Sequence, residues 1–90
     1  MNIEQLMALA TETKQGQKNV LVRTAIISFL AFESKEKLFV EDICNKLNIS
    51  PKTYYRTRQK AEEYCNYCLF QRCLRFIREN QDLLLEQFID

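Results

Sequence analysis

Glu41 to Ala61, EDICNKLNISPKTYYRTRQKA, decides how this chain is to be read, because it has the pattern of a short helix, a tight turn and a second helix opening on positive charge. Ile43 and Leu47, four residues apart, share one face of the first helix and point inward, while Asn45 and Lys46 face water. Glu41 and Asp42 sit in its first turn, where carboxylates favour the positive end of the helix dipole. Cys44 falls where two crossing helices approach most closely, and its small sulfur is expected to pack rather than react. Asn48 then suits the left-handed residue that ends a helix, and Ile49 plugs the corner. Ser50 is a favoured N-cap and Pro51 fits the first helical position, so the second helix starts there.

From Pro51 to Lys60 the chain carries Lys52, Arg56, Arg58 and Lys60 and no acid. In a protein of formal net charge +1, that is local concentration rather than general basicity. Thr53, Tyr55 and Gln59 add hydrogen-bonding tips, and Tyr54 and Ala61 are the expected inward contacts.

On these residues, DICNKLNISPKTYYRTRQKAEEY resembles the helix-turn-helix of LuxR-type regulators and of region 4 of sigma factors. The order of Ser50, Pro51, Lys52, Thr53 and Arg58 carries the likeness, and Tyr54-Tyr55-Arg56 is also similar to the opening of this helix in Mga and DeoR-like regulators. Asn48 stands at a corner that is often Gly, Phe39 precedes the first helix where Ser or Thr is usual, and Thr57 replaces a larger residue.

The resemblance implies a sequence-specific DNA-binding regulator whose helix-turn-helix spans about residues 39–65. Its partner would be double-stranded DNA. In that picture the positive start of the second helix meets phosphates and its outer side chains enter the major groove. Lys52 and Thr53 would anchor the backbone, Arg56 would grip guanine with two hydrogen bonds, and Tyr55, Arg58, Gln59 and Lys60 would supply edge or phosphate contacts. One such unit binds weakly, so a homodimer, or a partner regulator such as RNA polymerase, is expected.

Ninety residues with one Gly, one Pro and many helix-forming side chains predict a single all-α domain over residues 1–90, a small helical bundle of about five helices. Only Leu38 to Val40 has the makings of a brief strand. The near-neutral charge argues against a protein that coats nucleic acid. No stretch has the apolar length of a membrane span, and Met1 leads into polar sequence, so a cytoplasmic protein with no membrane partner is expected. Small size and Lys, Asn and Ile richness suggest a low-GC bacterium, a phage or a mobile element.

There is no His, no glycine-rich phosphate loop, no serine elbow and no acid pair in an evident cleft. We therefore expect no catalytic residues, no cofactor and no small-molecule substrate. Cys65 and Cys68 form a C-x-x-C, yet the pair falls within an amphipathic helical pattern and lacks a second pair. Cys44, Cys65, Cys68 and Cys73 are accordingly expected as core thiols rather than a metal site.

Before the motif, Asn2 is placed to cap a helix with Ile3, Leu6, Met7 and Ala10 on one side, forming a lid over the core. Thr11 to Lys18 reads as a polar connection, and Asn19 as the cap of a helix so apolar around its circumference that it must be central. After Ala61 the helical spacing continues through Tyr64, Phe76 and Ile77, so the second helix of the motif either runs on or breaks near Asn66. Arg72, Arg75 and Arg78 form a solvated face, or, on the sharper reading, a second set of phosphate contacts. Leu83, Leu84, Leu85, Phe88 and Ile89 make a greasy segment at 80–90 that closes the core or contacts a subunit, with dimerisation favoured. Leu84, Leu85 and Phe88 are its candidate interaction residues, and a protein-interaction adaptor is the competing function.

Overall fold

A computed structural model describes residues 1–12 and 15–89. It is all-α, with helices α1 (Ile3–Thr11), α2 (Gln17–Phe32), α3 (Val40–Leu47), α4 (Pro51–Tyr64), α5 (Cys68–Glu79) and α6 (Gln81–Glu86). Among the described residues there is no strand, and Leu38 and Phe39 simply lead into α3. That no helix of these residues is long and apolar enough to cross a membrane agrees with the sequence.

The central helix is α2, which packs against α1, α4 and α5. Ala25, Ile26 and Ile27 have no exposure, and Val22, Phe29 and Leu30 are buried beside them. An element enclosed on three sides needs apolar side chains almost all round, which is what its sequence supplies. The lid α1 buries Ile3, Leu6, Met7 and Ala10 and is capped at both ends. At its start, the Asn2 side chain accepts from Gln5 N at 2.8 Å while Gln5 Oε1 accepts from Asn2 N at 2.9 Å, a reciprocal capping box.

At the other end of α1 the expectation changes. Gly16, not Asn19, is the N-cap of α2, and Asn19 lies buried one turn inside the helix. Its Nδ2 donates to Leu9 O at 2.9 Å and to Glu12 Oε2 at 3.1 Å. Arg23, also buried, donates from Nε to Ala10 O at 3.0 Å and from Nη2 to Glu12 O at 2.8 Å. The last carbonyls of a helix have no partner within it and form its negative end, so a guanidinium and an amide from α2 close α1 from outside. Gly16 fits because a Cβ there would come within 3.0 Å of Asn19 Oδ1. Of the expected connection Thr11 to Lys18, Thr11 belongs to α1 and Gln17 and Lys18 to α2, while residues 13 and 14 lie outside the described residues.

Among the described residues there are six helices, in keeping with a bundle of about five, and the chain breaks twice after Ala61. At Cys65 to Tyr67 it turns back, with Tyr67 N donating to Tyr64 O at 2.9 Å and Gln71 Nε2 to Cys65 O at 2.6 Å. This reversal carries Phe70, Leu74 and Ile77 onto α2; a continuous helix would have extended all three into water. Tyr64 and Phe70 stack across the bend with ring centroids 5.9 Å apart. The second break is Asn80, whose side chain donates to Phe76 O at 2.9 Å.

The fold-back also corrects the cysteines. Cys44 is buried as expected, but Cys65 and Cys68 are exposed and straddle the α4–α5 turn instead of lying in a helix core, and Cys73 is half-buried. Burial pushes the Cys73 thiol up to about 11 and raises that of Cys44. Among the described residues, no group of three or more His, Cys, Asp or Glu is placed to hold a metal ion.

The tail is corrected too. Leu84 has no exposure and Leu85 is buried, both in the chain's own core, so neither is available as an interaction residue. Two adjacent leucines followed by a half-buried Phe88 make α6 a plug at the foot of α5. Of the tail's apolar residues, Leu83 and Ile89 stay exposed.

Candidate nucleic-acid interface

The α3–α4 unit is built by local chemistry at each position. Asn48 takes φ 59° and ψ 46°, the left-handed conformation that stops α3, and Ile49 N donates to Cys44 O at 3.0 Å. Ser50 Oγ accepts from Thr53 N at 3.1 Å and pairs with Thr53 Oγ1 at 3.0 Å, while Pro51 opens α4. Phe39 precedes α3 without a side-chain cap, as its departure from the Ser or Thr pattern implies. The half-buried Ile49 closes the corner.

Tyr54 and Ala61 anchor α4, both buried. Tyr54 meets Tyr55 edge to face at 5.1 Å, and its hydroxyl pKa is raised by burial, offset in part by the nearby Arg58 cation. With that side fixed inward, helical geometry sets the rest. At ~100° per residue, Lys52, Arg56, Gln59 and Lys60 fall within an arc of about 100° roughly opposite Tyr54 and Ala61. All four are exposed, with Tyr55 exposed at the edge of the arc. Thr53 is half-buried and its hydroxyl is already engaged by Ser50.

Arg58 departs from this set. Although exposed, its guanidinium lies 5.1 Å from the centre of the Phe32 ring, at the end of α2. A cation over an aromatic face is worth about 0.5–1 kcal/mol at an exposed site. Arg58 therefore pins α4 to α2 on one flank while the other cations look outward. Phe32, the last residue of the apolar α2, is 60% exposed and serves as the platform.

The positive strip is short. α4 has no acid in its first turn, but Glu62 and Glu63 follow the last Lys. A polyanion is thus attracted by the N-terminal half of α4, where the helix dipole is also positive, and repelled by the C-terminal end. On α5, the arginines divide: Arg78 is held by Glu33 through Nε–Oε1 at 2.6 Å and Nη2–Oε2 at 2.9 Å, Arg75 is exposed, and Arg72 faces an apolar cavity. The hydrogen bond that Arg78 donates to Glu33 raises the Arg78 pKa, with the carboxylate's negative charge adding to the effect. They do not form a second basic stripe with α4.

Fold and surface together define an all-α domain with one outward basic helix braced by a long apolar one. The chain belongs to the family described as "Protein of unknown function (DUF1492)", whose model matches residues 3–66. That match takes in α1 to α4 and ends in the turn before α5. No curated protein and no solved structure matches the chain.

Proposed function

We propose that this protein binds double-stranded DNA through α4, as a sequence-specific transcriptional regulator of helix-turn-helix type. The observation that carries the proposal is the outward arc of Lys52, Arg56, Gln59 and Lys60 on a helix whose opposite face is locked into the core. The likeness of the Ser50-Pro51-Lys52-Thr53 opening to LuxR-type and sigma-factor motifs supports it.

In this mode the N-terminal half of α4 enters the major groove. Arg56, near the middle of the arc, offers the planar fork that pairs with O6 and N7 of guanine, and Gln59 offers an amide suited to adenine. Lys52 and Lys60 bracket them as phosphate contacts, and Tyr55 reaches the edge. Thr53 acts at most through the remaining capacity of a hydroxyl already used in the cap, and Arg58 acts indirectly by fixing the rotation of α4. Glu63 keeps the far end of the helix away from the backbone.

With about three or four phosphates neutralised per chain, log affinity should fall against log salt with a slope of about −3 to −4. Selection of fragments from random duplex DNA, followed by anisotropy titrations over a salt series, tests this. Arg56→Ala should lower affinity for the selected site by about tenfold or more and relax preference at one base pair. Lys52→Ala should weaken all duplexes alike and reduce the slope by about one. An absence of enriched fragments, or a titration indifferent to both substitutions, rejects the reading.

A further inference from the structure

A broad concavity lies away from the DNA-facing arc. It is a cavity of about 1180 Å³ between the N-terminal half of α2, α1 and the start of α5, with Tyr64 its contribution from α4. Its walls are largely apolar: Leu6, Val20, Leu21, Tyr67, Leu69 and Phe76 are prominent. Leu69 is 65% exposed and Tyr67 54%, a concentration of apolar surface beside a groove that single scattered residues would not create.

Its charge is one-sided. The ionisable side chains on the lining, apart from tyrosine and cysteine, are Lys18 and Arg72, and no Asp or Glu contributes. Both helices that open onto it, α2 and α5, begin without a side-chain cap and without an acid in the first turn. Their free N–H groups add positive potential at the rim.

We infer that this groove takes an amphipathic helix of a partner protein, apolar on the seated face and carrying carboxylates along its edges. Three features select that occupant. The volume exceeds the range of about 300–1,000 Å³ usual for small-molecule sites. The walls are helices, with no strand among the described residues, so an extended peptide would find no backbone partners, whereas a helix brings its own hydrogen bonds satisfied. The cationic rim selects acids over bases at the partner's edges. The inference stands independently of DNA binding, since the arc of α4 lies outside the lining.

The test uses the full chain and a fluorescein-labelled peptide about four helical turns long, with leucines at helical i, i+3, i+4 and i+7 spacing flanked by glutamates. A second peptide replaces each glutamate by lysine. The chain should bind the glutamate peptide saturably and about tenfold more tightly than the lysine peptide, and Leu69→Asp should weaken binding by at least a similar factor. The double variant Lys18→Glu/Arg72→Glu should invert the preference between the peptides. Both substituted cations are exposed, so this variant tests the inference even if Leu69→Asp lowers the melting temperature. Equal affinity for the two peptides, no saturation, or binding unchanged by the charge reversal overturns the inference. So does a dimer in sedimentation that Leu69→Asp dissociates, because the groove is then covered by a second copy.

Discussion

The two bends on either side of α4 are made in different ways. Between α3 and α4 each residue carries its own instruction: Asn48 accepts a left-handed backbone, Ile49 fills the corner, Ser50 caps and Pro51 starts the next helix. Between α4 and α5 the residues Cys65, Asn66 and Tyr67 hold no comparable set of local signals, and the turn exists because Phe70, Leu74 and Ile77 must reach α2. The first bend is specified by neighbours in sequence, the second by neighbours in space. Only the first kind can be read from a short stretch of chain.

The strongest way to break the contrast is to remove what holds the second bend. Phe70→Ala deletes a ring that is 2% exposed and stacked on Tyr64, and should cost about 3–5 kcal/mol in chemical unfolding. Its loss should also release α5 first, seen as faster amide exchange at Leu74 and Ile77 than in α2. If α5 stays protected, the bend has a local determinant after all.

Substitutions in the first bend should have smaller and more specific effects. Asn48→Val places a branched side chain at φ 59° and should cost about 1–2 kcal/mol, while Asn48→Gly should be close to neutral. Ser50→Ala should cost about 1 kcal/mol by leaving the Thr53 amide without its cap. Thermal or urea melts compare the three, and an equal loss in Asn48→Gly and Asn48→Val would show that side-chain contacts, not backbone conformation, govern this corner.

The mildest probe is alkaline pH. The Cys73 thiol, beside the second bend, is pushed up to about 11 by burial, from an ordinary value of 9.0. The unfolded chain therefore releases this proton first, and stability that is complete below about pH 9 should decline as pH rises toward 11. Cys44 and Tyr54, also raised by burial, act in the same direction. Urea midpoints measured across this window should flatten in Cys73→Ala, and an identical decline in that variant would move the effect to Cys44 and Tyr54.

This division explains what was legible beforehand. The all-α class, the central place of α2, the end of α3 and the inward setting of Tyr54 and Ala61 all follow from spacing and from capping residues. Arg23 and Asn19 were opaque, because a cation and an amide in an apolar helix have meaning only once the end of α1 is placed beside them. Leu84 and Leu85 looked like a surface since nothing in residues 80–90 reveals the cleft at the foot of α5 that receives them. Arg58 belongs with its neighbouring cations in sequence, and only the emergence of Phe32 beside it separates it from them. For the groove, Tyr67 and Leu69 lie close together in sequence, but its lining joins residues from four helices.

The exposed pair Cys65 and Cys68 gives the chain a built-in reporting point at its least locally determined joint. A thiol-directed dye would attach there in preference to the sealed Cys44 and the shielded Cys73, with no added mutation. Its emission would then follow the angle between α4 and α5, making any communication between the two helices visible in a single sample.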